Sequence, residues 1–184
     1  RYGADNVLVV RADATQYEGW FYEGAGIYRH VWLNTFEDTH IANDGIFAHA
    51  KMEGSYATLT VETELVNDGN AATDLTTEII LSGREGGFVA KSKLQTLHLE
   101  INQSGVSRHV LKLYNPILWD LDNPYLHRIQ VLVKKSGKLM DQQTLKFGFR
   151  SVEIKPDGML LNGKKLKILG VNCHQDHAGV GSAL

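Results

Sequence analysis

The stretch Ala57-Thr58-Leu59-Thr60-Val61-Glu62-Thr63-Glu64-Leu65-Val66-Asn67-Asp68-Gly69-Asn70 decides the fold. Leu59, Val61, Thr63 and Leu65 fall on one side of an extended chain, and Thr58, Thr60, Glu62 and Glu64 on the other. That is the period-two pattern of a half-buried strand. It ends in Asn67-Asp68-Gly69-Asn70, whose residue types tolerate positive φ and reverse the chain. The pattern recurs in Leu75, Thr77, Ile79 and Leu81, which Ser82-Gly83 and Gly86-Gly87 interrupt. It returns in Ile129, Val131 and Val133, passes Ser136-Gly137, and continues in Leu145, Phe147 and Phe149 as the second arm of a hairpin. No window of a dozen residues carries an apolar stripe at helical spacing. The reading is all-β, an immunoglobulin-like antiparallel β-sandwich over about 38–150, without the paired cysteines of antibody domains because Cys173 is the single cysteine.

The ends read differently. Asn6 to Asp13 and Ile27 to Leu33 look like strands with no local partner, the close of something upstream. Beyond Arg150, Pro156-Asp157-Gly158 marks a turn and Asn162-Gly163 a hairpin. Gly179-Val180-Gly181-Ser182-Ala183-Leu184 is an unusual close for a domain, so the sequence reads as a piece of a longer protein.

Composition narrows the function. The 184 residues are 43% hydrophobic and 22% charged, too apolar for disorder. No apolar run approaches the roughly 20 residues of a membrane helix, and no basic, apolar, small-residue series opens the chain. Neither a membrane partner nor a signal peptide is therefore expected, and the compartment, cytoplasmic or periplasmic, stays open. With 19 basic against 21 acidic residues the formal net charge is −2. Nucleic-acid partners call for a basic excess gathered in a patch. The densest lysine runs here, Lys134-Lys135-Ser136-Gly137-Lys138 and Lys164-Lys165-Leu166-Lys167, sit at turns, where solvated lysines are the ordinary case.

Four segments resemble glycoside hydrolase family 2, which holds β-galactosidases, β-glucuronidases and β-mannosidases. They are Trp20 to Leu33 with its Gly24-Ala25-Gly26-Ile27-Tyr28-Arg29 centre; Leu118-Trp119 with Asn123-Pro124-Tyr125-Leu126; Phe147-Gly148-Phe149-Arg150; and Asp157-Gly158 through Leu161-Asn162-Gly163 to Gly170-Val171-Asn172-Cys173-His174. Each is weak by itself; their order, with a sandwich-length gap between the first and third, is specific. Glu18-Gly19-Trp20 and Gln175-Asp176-His177 look most like the β-galactosidase-type branch. The resemblance implies that 1–37 are the last strands of a jelly-roll sugar-binding domain, 38–150 the sandwich, and 151–184 the start of a catalytic TIM barrel.

Individual residues follow from that. Gly24 and Gly26 read as strand geometry, and Trp32 and Trp119 as core or domain-interface residues. Arg150 either bridges domains through a carboxylate or lies solvated at a strand end. Cys173, His174, Asp176 and His177 invite a metal reading, but their spacing matches no zinc template, so no metal is expected. By resemblance, His174 lies in the sugar pocket at the barrel mouth, near Asp176 and His177, and Glu18 reaches it from the sugar-binding domain. A sodium or magnesium ion would belong to the whole enzyme, its ligands mostly outside this sequence; no other cofactor is implied.

Family catalysis uses two glutamates on the barrel, the acid/base directly after an asparagine. No Asn-Glu dipeptide occurs in the 184 residues. Glu62, Glu64 and Glu78 lie on polar strand faces and read as solvated. The chain itself is therefore expected to be inactive, a scaffold between flanking domains of an enzyme acting on β-glycosides. Its cut strands would invite self-association. The competing reading is a stand-alone carbohydrate-binding or interaction module, with Tyr17, Trp20, Phe21 and Tyr22 as the dense aromatic group.

Overall fold

A computed structural model of the chain describes residues 3–13, 26–27 and 30–172. It divides into two compact units, Thr35–Lys167 and a second made of 1–34 with 168–184. Among the described residues the first carries every strand: β1 (Thr39–Glu53), β2 (Tyr56–Asn67), β3 (Thr73–Ser82), β4 (Phe88–Lys91), β5 (Gln95–Leu99), β6 (Gln103–Tyr114), β7 (His127–Lys135), β8 (Lys138–Phe147), β9 (Val152–Lys155), β10 (Gly158–Leu161) and β11 (Lys164–Leu166). No helix occurs among the described residues.

Two antiparallel sheets pack face to face. One has the order β1-β2-β6; the other runs β4-β3-β7-β8, with β5 also pairing with β3. This is the immunoglobulin-like division of strands. The alternation of the deciding stretch is realised: Ala57, Leu59, Val61 and Leu65 of β2 are buried against Leu75, Ile79 and Leu81 of β3 and Ile129, Val131 and Val133 of β7. Apolar area removed from water at roughly 25 cal/mol per Å² is the main force holding the two faces together.

The register of β1 shows how a mismatch is absorbed. Ile41 lies opposite Leu65, but Ile46 lies opposite Thr63. The intervening bulge turns through Asp44 at φ 55° and brings Ile46, Ala48, Ala50 and Met52 back onto the core face. A second bulge in β8 leaves Met140 unpaired between Asp141 and Leu139. Asp141 Oδ2 then accepts the Ile41 N–H at 2.9 Å, joining the edges of the two sheets.

Several polar groups inside the sandwich pair with one another, although Thr63 Oγ1, Thr73 Oγ1 and His127 Nδ1 are buried without a partner. Thr77 Oγ1 lies 2.6 Å from Ser107 Oγ and 2.8 Å from His109 Nε2, bridging β3 to β6 across the core. Burial holds the His109 imidazole below its ordinary pKa, against a hydrogen bond to the Lys93 backbone and the nearby Glu78. Asn67, at the end of β2, is buried and sends Nδ2 to the carbonyls of Ala71 (2.9 Å) and Glu100 (3.0 Å), while Gly69 N–H donates to its Oδ1 (3.2 Å).

Two readings from the sequence are corrected. Glu78 is not solvated: it is 5% exposed and pairs at 2.7 Å with Lys91 of β4, the neighbouring strand of the same sheet. Asn6 to Asp13, read as a strand, form none, since ladder hydrogen bonds need a second chain segment alongside.

Candidate functional site

The segments singled out between Leu118 and Asn162 converge on one end of the sandwich. Leu118 forms a parallel bridge with Phe149, and Trp119 N–H donates to Phe149 O at 2.8 Å. Asp120 Oδ1 accepts the backbone N–H groups of Asp122 (2.9 Å) and Asn123 (2.7 Å), an Asx turn that sets up the Trp119–Pro124 bridge. The Trp119 side chain lies directly over Gly148, where a Cβ would come 2.9 Å from Trp119 Cβ and 3.1 Å from Cγ. The Arg150 guanidinium lies 4.8 Å from the centre of the Trp119 ring. Arg150 is thus held by a cation–π contact, a third outcome beside the two its sequence context left open.

Tyr125 fastens the opposite side. Its hydroxyl accepts the Arg84 N–H at 3.0 Å, the Arg84 guanidinium stacks 4.8 Å over its ring, and Arg84 Nη2 donates to Pro124 O at 3.1 Å. Behind it, Tyr125, His127, Phe149 and Phe147 make edge-to-face contacts at 4.9, 4.9 and 5.0 Å. Burial pushes the His127 imidazole down from its ordinary pKa, so it sits neutral in this aromatic row.

The three-stranded sheet β11-β10-β9 is tied to the same place. Leu161 and Lys164 pair across Asn162-Gly163, whose φ values of 51° and 75° are those of a type I′ turn. Asn162 then uses both ends of its amide: Nδ2 donates to Trp119 O at 3.0 Å, and Oδ1 accepts the Ser151 N–H at 2.9 Å. Between this hairpin and the Leu118–Asp122 loop lies a cleft of about 290 Å³ lined by leucines 118, 121, 161 and 166, with Asp122 and Lys164 at its polar margin.

Chemically, this is a clasp. Its carboxylate and amide groups are consumed by backbone partners, and no group of three metal-binding side chains occurs among the described residues. Of the site residues expected from sequence, Trp119 and Arg150 meet here. Asn172 is exposed and Gly26 takes φ 144°, both outside the sandwich unit. Glu18, Gly24, Arg29, His174, Asp176 and His177 lie outside the described residues, as do Cys173 and the Tyr17, Trp20, Phe21 and Tyr22 group. Sequence reasoning missed Asp120 and the second role of Asn162; the Asp-x-Asp-Asn-Pro run of 120–124 carried the signal for the first.

A sandwich closed at one end by a clasp onto a small following sheet is an immunoglobulin-like domain. The family model described as glycosyl hydrolases family 2 matches residues 39–150, and the chain belongs to that family. It is 32% identical to a β-galactosidase of Thermoanaerobacter pseudethanolicus over 98% of this chain and 24% of the relative. A β-galactosidase of Bacteroides ovatus is 33% identical over 97% of this chain and 21% of its own length. Among solved structures, a glycosyl hydrolase family 2 member from Bacteroides cellulosilyticus superposes with a TM-score of 0.71 at 25% identity, covering 80% of this chain and 20% of that one. The chain therefore spans between a fifth and a quarter of the length of these relatives.

Proposed function

We propose that this chain is the non-catalytic immunoglobulin-like sandwich of a retaining glycoside hydrolase of β-galactosidase type. Residues 38–150 form the spacer, 1–37 close a sugar-binding domain before it, and 151–184 open a catalytic barrel after it. The whole enzyme cleaves terminal β-glycosides through a covalent glycosyl-enzyme, using two glutamates from outside these residues. The observation that carries this reading is the clasp: Trp119, Gly148, Arg150 and Asn162, all from family-like segments, meet around one another and bind no free reactive group. The spacer fixes the direction in which the chain leaves toward Asn172 and His174. There His174, Asp176 and His177, with Glu18 from the preceding domain, hydrogen-bond sugar hydroxyls.

A nitrophenyl β-galactoside assay on the pure 184-residue chain is expected to show no turnover above buffer. Turnover that a galactosidase inhibitor removes overturns the non-catalytic assignment. Reading the gene beyond codon 184 tests the rest: an open frame encoding an Asn-Glu pair and a second glutamate is expected, and an immediate stop codon refutes the parent enzyme.

A further inference from the structure

Each sheet of the sandwich has two edges, and three of the four are blocked. β1 is broken by the bulge at Asp44, and its Ile41 N–H is taken by Asp141. β8 carries the bulge at Met140. β4 and β5, which share the outer side of β3, are only four and five residues long. Bulges and short strands are devices that keep sheets from joining through their edges. β6 has neither. Its 12 residues contain no proline and pair with β2 from end to end without a register shift, and β2 is its one ladder partner among the described residues. A continuous row of backbone N–H and C=O groups therefore points away from the sheet along β6.

The same strand carries most of the exposed apolar side chains on the outer face of its sheet. Val106 is 57%, Val110 54% and Tyr114 71% exposed, with Tyr56 beside Tyr114 on β2 and Phe47 leaning on His49 at the far edge. Arg108 and Lys112 alternate with them, and each cation is met within the chain. Arg108 Nε lies 3.3 Å from Glu62 Oε1, and Lys112 Nζ lies 4.7 Å over the Tyr56 ring. Glu64, exposed on β2 opposite Val106, has no ion-pair partner among the described residues.

A second β6 is the partner this edge fits. A twofold axis sets two copies of one strand antiparallel, so each supplies the acceptors that the other lacks. Registers that keep outer side chains beside outer side chains step by two residues. Of the two that overlap the strands most fully, one sets Arg108 against Arg108 of the second copy, and like charges directly opposite are destabilising. The other sets Val110 opposite Arg108 and Val106 opposite Lys112. Val106 and Val110 of the two copies are then diagonal neighbours across the joint, and Tyr114 of each lies diagonal to Val106 of the other. Lys112 of the second copy stands two strands, about 9–10 Å, from Glu64, a gap that the two extended side chains span over Val106.

We propose that β6 is a docking edge for a second copy of this chain, joining the two three-stranded sheets into one through an antiparallel β6–β6 ladder in which Lys112 of each copy reaches Glu64 of the other. This pairing goes beyond the spacer function and does not rest on it. A lone ladder is smaller than a standard protein interface, so the dimer forms at roughly 0.1 mM.

Sedimentation of the 184-residue chain from roughly 0.01 to 1 mM tests it, with monomer at the low end and dimer at the high end expected. Glu64→Lys and Lys112→Glu each reverse two contacts per dimer and should weaken association about tenfold, while the double variant should restore it. Both side chains are exposed, so the fold survives the changes, which circular dichroism checks. Hydrogen exchange in the dimer should slow at every second amide of β6, the ones not bonded to β2. A monomer over the whole range overturns the pairing. So does a dimer that ignores either charge reversal, a double variant as weak as the single ones, or protection gained elsewhere than on β6.

Discussion

Asn162 holds a left-handed turn position and, from the same residue, binds both Trp119 and Ser151. Asn162→Asp separates the two roles, since aspartate tolerates the turn but sets a carboxylate oxygen against the Trp119 carbonyl. The expected loss is roughly 1–3 kcal/mol in urea unfolding, the cost of stranding a partly buried acceptor. A loss confined to the few tenths typical of surface exchanges would show that the clasp is ornamental. Gly148 tests the same clasp from the other side. A Cβ there meets Trp119 Cβ at 2.9 Å, and neither group is a flexible tip, so Gly148→Ala should cost about 1–3 kcal/mol by overpacking. In a Trp119→Ala background the same change should cost far less, and additive losses would refute direct contact as the cause.

Among the elements, β1 and β8 are the edges where the two sheets meet, and Asp141 accepting the Ile41 amide joins them. Asp141→Ala removes a charged acceptor from a partly buried N–H, for an expected loss of about 1.5–3 kcal/mol. Hydrogen exchange should quicken at Ile41 while amides in the middle of β2 keep their protection; uniform quickening would mean the tie governs global unfolding instead. The strands themselves were legible because period-two alternation and Gly-bearing turns are local signals, as at Ala57–Leu65, Ser136-Gly137 and Asn162-Gly163. The bulge at Asp44, the burial of Glu78 and the reach of Asp141 were not, because each depends on which strand lies alongside, for Asp141 one 100 residues away. Of the clasp, Trp119 and Arg150 could be picked from sequence, but not that they would stack on each other. Gly148 looked like one more small residue in an alternating strand until the indole lay over it.

For the whole molecule, the histidines set the response to acid. His109 and His127 are both buried, and burial lowers the pKa of each below the ordinary value of about 6.5. As pH falls through 6.5, the unfolded chain takes up protons at these two positions that the folded chain refuses. Proton uptake is then greater in the unfolded state, so stability is full above that pH and declines below it. His98 acts the other way. Its exposed ring is held by hydrogen bonds to Asp74 at 2.8 Å and Glu100 at 3.4 Å, which raise its pKa. Its contribution is present below 6.5 and is lost as pH rises through the raised value. Because His98 is exposed, salt screens it, whereas the two buried rings are screened much less. Urea unfolding is therefore expected to give a plateau above neutrality and a decline between about pH 6.5 and 5, steeper in high salt. His109→Gln, which keeps a polar group beside Thr77 but cannot titrate, should flatten that decline. Stability that rises from pH 7 to 5 would mean that the surface pair of His98 outweighs both buried rings, and that the sandwich interior is far better hydrated than its packing describes.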